Sequence, residues 1–79
     1  MDIKVLGPGC KKCKALEQEV TSVVAEMKID ANIEKVTDVN AITDYNVFIT
    51  PALIVNGKVK VIGKVPSKDD IKKYIEEEM

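Results

Sequence analysis

Apolar and polar positions along this chain change period several times, and each change marks an element. Ile3-Lys4-Val5-Leu6 is a short apolar run closed by Gly7-Pro8-Gly9, which predicts a strand ending in a tight turn. Counting from Cys13, the residues Leu16, Val20, Val23, Val24 and Met27 recur at steps of three and four. That spacing predicts a helix with one buried face, ending near Lys28. Ala31 to Val36 carries Ile33 and Val36 among polar neighbours and predicts a partly exposed strand. Thr37-Asp38 supplies caps for a short second helix, with Val39, Ile42 and Tyr45 at helical spacing. Thr50-Pro51 then opens Ala52-Leu53-Ile54-Val55, a continuous apolar run of the kind buried on both faces of a sheet. Asn56-Gly57 is a strong hairpin signal, so Val59 to Ile62 is expected to return antiparallel. Gly63 breaks that strand. Pro66-Ser67-Lys68-Asp69-Asp70 opens a last helix with Ser67 as N-cap, acids in its first turn, and Ile71, Tyr74 and Ile75 on its inner face. The predicted order is βαβαββα.

Size and composition narrow the class. A chain of 79 residues, 46% of them apolar, is expected to form a single globular domain over residues 1–79. Its 12 lysines and 13 acids give a net charge of -1 and are mixed along the sequence. No broad basic field results, which argues against nucleic acid as a partner. Nothing approaches the roughly 18 apolar residues of a membrane span, and the N-terminus lacks the apolar segment of a signal peptide. The expectation is therefore a cytoplasmic monomer that does not engage membranes. In that compartment a disulfide is more often transient and catalytic than structural. Glu76-Glu77-Glu78 reads as a solvated end, since carboxylates at a helix C-terminus oppose its dipole and favour fraying.

The chemistry rests on the two cysteines, Cys10 and Cys13, placed where the first strand hands over to a lysine-rich helix. Free backbone N–H groups at a helix N-terminus favour a thiolate, which makes Cys10 the expected nucleophile and Cys13 its resolving partner. Helical positions i and i+3 hold their Cβ atoms about 5–6 Å apart, whereas a disulfide needs about 3.5–4.5 Å. Cys10 is therefore expected at the cap, not yet helical. Lysine at a helix N-terminus is unfavourable to the helix itself, so Lys11 and Lys12 are expected to tune the thiolate, with Lys14 on an ordinary solvated face. A stapling disulfide would contribute little here, about 2 kcal/mol for so short a loop. A closed zinc site wants four ligands, and this chain has two thiols and no histidine. The alternative from another class is a carrier of copper(I) or another soft metal, held linearly by the same two thiolates.

Three stretches taken together, Val5-Leu6-Gly7-Pro8-Gly9-Cys10-Lys11-Lys12-Cys13, Thr50-Pro51-Ala52-Leu53-Ile54-Val55-Asn56-Gly57-Lys58 and Gly63 to Ser67, resemble the thioredoxin-fold family. The likeness is greatest to its small thioredoxin/glutaredoxin-like redox proteins of archaea and anaerobic bacteria. The resemblance implies an α/β minimal thioredoxin fold. That is a four-stranded mixed sheet with the first two strands parallel, the hairpin as antiparallel edge, and helices on both faces. It also implies thiol–disulfide exchange on disulfide-containing proteins, recycling by a separate reductase and no organic cofactor. By the same resemblance Pro51 is expected to be cis and to face the cysteine pair, and the Thr50 backbone to pair with an extended substrate. The chain departs from the family in three places. Gly9 replaces the aromatic residue before the first cysteine, and Lys4 stands where thioredoxins bury an acid. Glutaredoxins carry a glycine pair before the last helix, and here only Gly63 is present. A buried Lys4 would attract anions or have a depressed pKa, leaving water to serve Cys13 in proton transfer.

Overall fold

The computed structural model describes residues 1–79 and contains the seven elements in the predicted order. They are β1 (Asp2–Leu6), α1 (Lys11–Met27), β2 (Asn32–Val36), α2 (Val39–Asp44), β3 (Ala52–Val55), β4 (Lys58–Ile62) and α3 (Lys68–Glu76). The strands form one sheet in the order β2-β1-β3-β4, with β1 and β2 parallel and the other two pairings antiparallel. This is a minimal thioredoxin fold, and the hairpin supplies the antiparallel edge.

Alternation along the central strands divides the core between two faces. Ile3 and Val5 of β1, with Leu53 and Val55 of β3 and Val61 of β4, pack against Leu16, Val20 and Val23 of α1 and Ile71 and Ile75 of α3. Leu6, Ala52 and Ile54 point the other way, where they meet Ile42 of α2 and Val47. Burying each of the Val, Leu and Ile side chains contributes about 1.5–3 kcal/mol. No polar or charged residue is buried. Because α2 has six residues, it covers β1 and β3 but leaves Val59 and Ile62 of β4 exposed.

Several boundaries differ from the sequence reading for local reasons. β1 begins at Asp2, whose N–H donates to Asn56 Oδ1 at 2.9 Å while its carbonyl accepts from Asn56 N at 2.7 Å. The bounds of α1 agree with that reading: Cys10 caps it, so that it begins at Lys11, and it ends where Lys28 turns left-handed at φ 54°. Tyr45 is the C-cap of α2 rather than a member of it, although its ring still packs beside Ile42. Asn46 follows in a left-handed conformation at φ 61°, which asparagine tolerates well.

The acidic tail is the main correction to the sequence reading of the fold. Glu78 is not solvated, since its side chain is only 11% exposed. It accepts a hydrogen bond from Lys60 Nζ at 2.8 Å and lies 3.4 Å from Lys58 Nζ. Lys60 reaches Glu77 as well, at 3.3 Å. A bulge between Leu53 and Ile54 leaves Lys60 without a partner in the ladder, and bulges commonly re-aim a side chain in this way. Opposite charge from the hairpin thus offsets the unfavourable dipole that the sequence emphasised. Asn56 Nδ2 also donates to the Glu78 carbonyl at 3.4 Å.

The hydrogen bond from Lys60 is the main reason that the Glu78 carboxyl is held below its ordinary 4.5; the same contact raises the Lys60 ammonium above 10.5. A depressed carboxyl contributes stability above its unfolded value, and that contribution is lost as pH falls through the folded value. Wild-type urea midpoints should therefore fall more steeply below about pH 4.5 than those of Glu78→Gln. Parallel midpoint curves for the two proteins would show that the contact carries no pH-dependent stability.

Candidate active site

β1 delivers the chain to the site and Gly7-Pro8-Gly9 turns it. Gly7 is buried, its N–H bound to the Val36 carbonyl at 2.9 Å, and it lies so close to Cys13 that a Cβ there would sit 2.8 Å from Cys13 Cβ. Gly9 adopts φ 101°, a region that side chains avoid. Cys10 then takes an extended conformation, φ -67° and ψ 167°, as the N-cap of α1. Its sulfur accepts from the Cys13 N–H at 3.3 Å and its carbonyl accepts from the Lys14 N–H at 3.0 Å. Cap geometry at one cysteine and helical geometry at the other bring the Cα atoms to 5.0 Å, and the two sulfurs are joined as a disulfide. Cys10 is exposed, whereas Cys13 retains only 5% of its surface.

Register places the second segment beside the first. Leu6 pairs with Ala52, so the residue before Ala52 stands next to the turn at Gly7. That residue is Pro51, buried and joined to Thr50 by a cis peptide bond. The Pro51 carbonyl accepts from the Gly63 N–H at 2.7 Å, which ties the loop after β4 to the same end of the sheet. Thr50, half-buried, shares a groove of about 220 Å³ with Pro8, Val39 and Phe48. Lys11 and Lys12 are exposed on the first turn of α1 and make no ion pair.

Lys4 does not take the part expected of a buried residue. Its side chain is 25% exposed, and its Nζ donates to Tyr45 Oη at 2.9 Å, with Asp2 and Glu34 each at 4.0 Å. Its pKa is raised rather than depressed, chiefly by the hydrogen bond to Tyr45. The apolar surface around the groove is a further feature, not predicted from the sequence. Phe48 is 79% exposed, with Val39 and Ile49 above 60%. The available signal was the run Val47-Phe48-Ile49 just before Thr50-Pro51, which no helical or strand period explains.

The geometry gives one accessible sulfur at a helix N-cap, bonded to a second that is shielded beneath it. A family model described as "Thioredoxin domain" matches residues 1–76. The chain belongs to the thioredoxin family. It is 37% identical over 75 residues to a protein named thioredoxin from Methanothermobacter thermautotrophicus, covering 95% of this chain and 97% of that one. It is 41% identical over 78 residues to another thioredoxin, from Methanocaldococcus jannaschii, covering 94% and 90% respectively. As a thioredoxin-family protein whose two cysteines form a disulfide across the spacing this chemistry uses, it is a thiol–disulfide oxidoreductase. The competing carrier reading gains no support from these relatives, both of which are named thioredoxins. No helix is long and apolar enough to cross a membrane.

Proposed function

We propose that this protein reduces disulfides in other proteins, with Cys10 as attacking sulfur and Cys13 as resolving sulfur. The Cys10 thiolate attacks one sulfur of the substrate disulfide, forming a mixed disulfide and releasing the first substrate thiolate, which takes a proton from water. The Cys13 thiolate then attacks the Cys10 sulfur and releases the second substrate thiolate, which is protonated in turn. The substrate gains two electrons and two protons, and the protein is left with the Cys10–Cys13 disulfide. A separate reductase returns that pair to the dithiol. Lys11 and Lys12 favour the Cys10 thiolate together with the N–H groups at the start of α1. Thr50 offers backbone to an extended substrate, with Pro51 beside the reacting sulfurs. We place this activity in a single domain over residues 1–79, acting as a monomer in the reducing cytoplasm, where the pair is kept available as thiols.

The observation that carries this reading is the asymmetry of the pair: exposed Cys10 at the cap, Cys13 at 5% exposure beneath it. The test is reduction of insulin disulfides with dithiothreitol as donor. The protein should accelerate B-chain precipitation catalytically, well below one equivalent. A protein that fails with any dithiol donor yet holds copper(I) against a competing chelator overturns the reading in favour of metal carriage.

A further inference from the structure

Resting on the reductase reading, we propose that the physiological substrate is a protein whose attacked disulfide is flanked by acidic residues. The lysines of this chain differ in how their charge is compensated. Six of the twelve, Lys4, Lys35, Lys58, Lys60, Lys68 and Lys72, have a carboxylate within 4.0 Å. Lys28 and Lys73 lie at the C-terminal ends of α1 and α3, where the dipole favours a cation. Lys11, Lys12, Lys14 and Lys64 have neither form of compensation. Of these, Lys11 and Lys12 follow the exposed Cys10 directly, in a helix with no acid in its first turn. Lys64 follows Gly63, whose N–H binds the Pro51 carbonyl and whose backbone abuts Ile49. Unpaired positive charge thus follows Cys10 in α1 and, from a distant part of the chain, adjoins the loop that is tied to Pro51.

Apolar surface is gathered at the same end. Three of the six exposed large hydrophobic residues, Val39, Phe48 and Ile49, line the groove or adjoin residues that do. Concentrated exposed apolar surface marks an interaction site. The acids nearest the groove in the chain are Asp38, the N-cap of α2, and Asp44, its last residue; α2 forms one wall of the groove. Asp38 is engaged in capping Asn40 N at 3.0 Å. A segment crossing the site therefore meets lysines around its attacked sulfur and apolar contact beyond it. Carboxylates flanking the substrate disulfide complement that arrangement, and ammonium groups there are repelled.

The test uses three disulfide-bridged peptides that differ only in two residues flanking one cysteine: Glu-Glu, Gln-Gln or Lys-Lys. Second-order rate constants for the reduced full-length protein are divided by each peptide's rate with dithiothreitol, which removes its intrinsic reactivity. At low salt the acidic peptide should react about 10-fold faster than the basic one, the lower end of electrostatic steering. At about 0.5 M salt, where screening acts within roughly 4 Å, the ratio should approach unity. Lys64→Glu should cut the acidic peptide's advantage over the basic one about threefold. Equal rates for all three peptides at low salt, or a ratio that salt does not alter, would overturn the proposal. Failure to reduce any of the peptides or insulin would instead overturn the reductase reading on which it rests.

Discussion

Cys13→Ser is expected to accumulate substrate proteins as mixed disulfides at Cys10, released by a dithiol, whereas Cys10→Ser captures almost none. Attack and resolution need different thiols, and exposure assigns them, since only Cys10 can be approached from solvent. Serine in place of Cys13 leaves the first step intact and removes the second. Serine in place of Cys10 removes the nucleophile, so insulin reduction should fall by a factor on the order of 10³ or more. Non-reducing electrophoresis and intact mass measure the adducts. Equal capture by both variants, or substantial turnover by Cys10→Ser, would reverse or abolish the assigned roles.

The second large effect is expected at Gly7. Both partners in its contact with Cys13 are anchored, Gly7 through Val36 and Cys13 within α1, so neither can yield to an added methyl without moving strand from helix. Gly7→Ala should cost about 1–3 kcal/mol of unfolding free energy, as overpacking usually does. It should also slow resolution, because the displaced atoms are those of Cys13. Gly9→Ala is the control. A Cβ there meets open space, and only the positive φ is strained, at about 1 kcal/mol. Stability measured by urea unfolding, together with the lifetime of the mixed disulfide, separates the two variants. Similar losses with unchanged resolution would refute the packing argument at Gly7.

The order of elements, the capping position of Cys10 and the hairpin were legible in the sequence because each depends on neighbours in the chain. Periodicity marked α1, and Asn56-Gly57 fixed the turn between β3 and β4. Less legible were features set by distant residues. Glu78 looked like a fraying carboxylate until the fold supplied Lys60 and Lys58. Lys4 looked buried because it alternates with core residues on a central strand. Its long side chain instead carries the charge to Tyr45, partly in solvent. The exposed Phe48 and Ile49 were equally opaque, since a loop has no period by which its apolar residues can be sorted.

The hydrogen bonds at the lower end of the sheet bear on how the molecule can be attached to other things. Asp2, Asn56 and the Glu78 carbonyl are bound together there, and the Met1 ammonium donates to the Asp30 carbonyl nearby at 3.3 Å. Both chain ends are consequently separated from Cys10 by the length of β1, roughly 16 Å. A tether at either end, to a bead, an electrode or a fused enzyme, would leave the reactive sulfur facing outward.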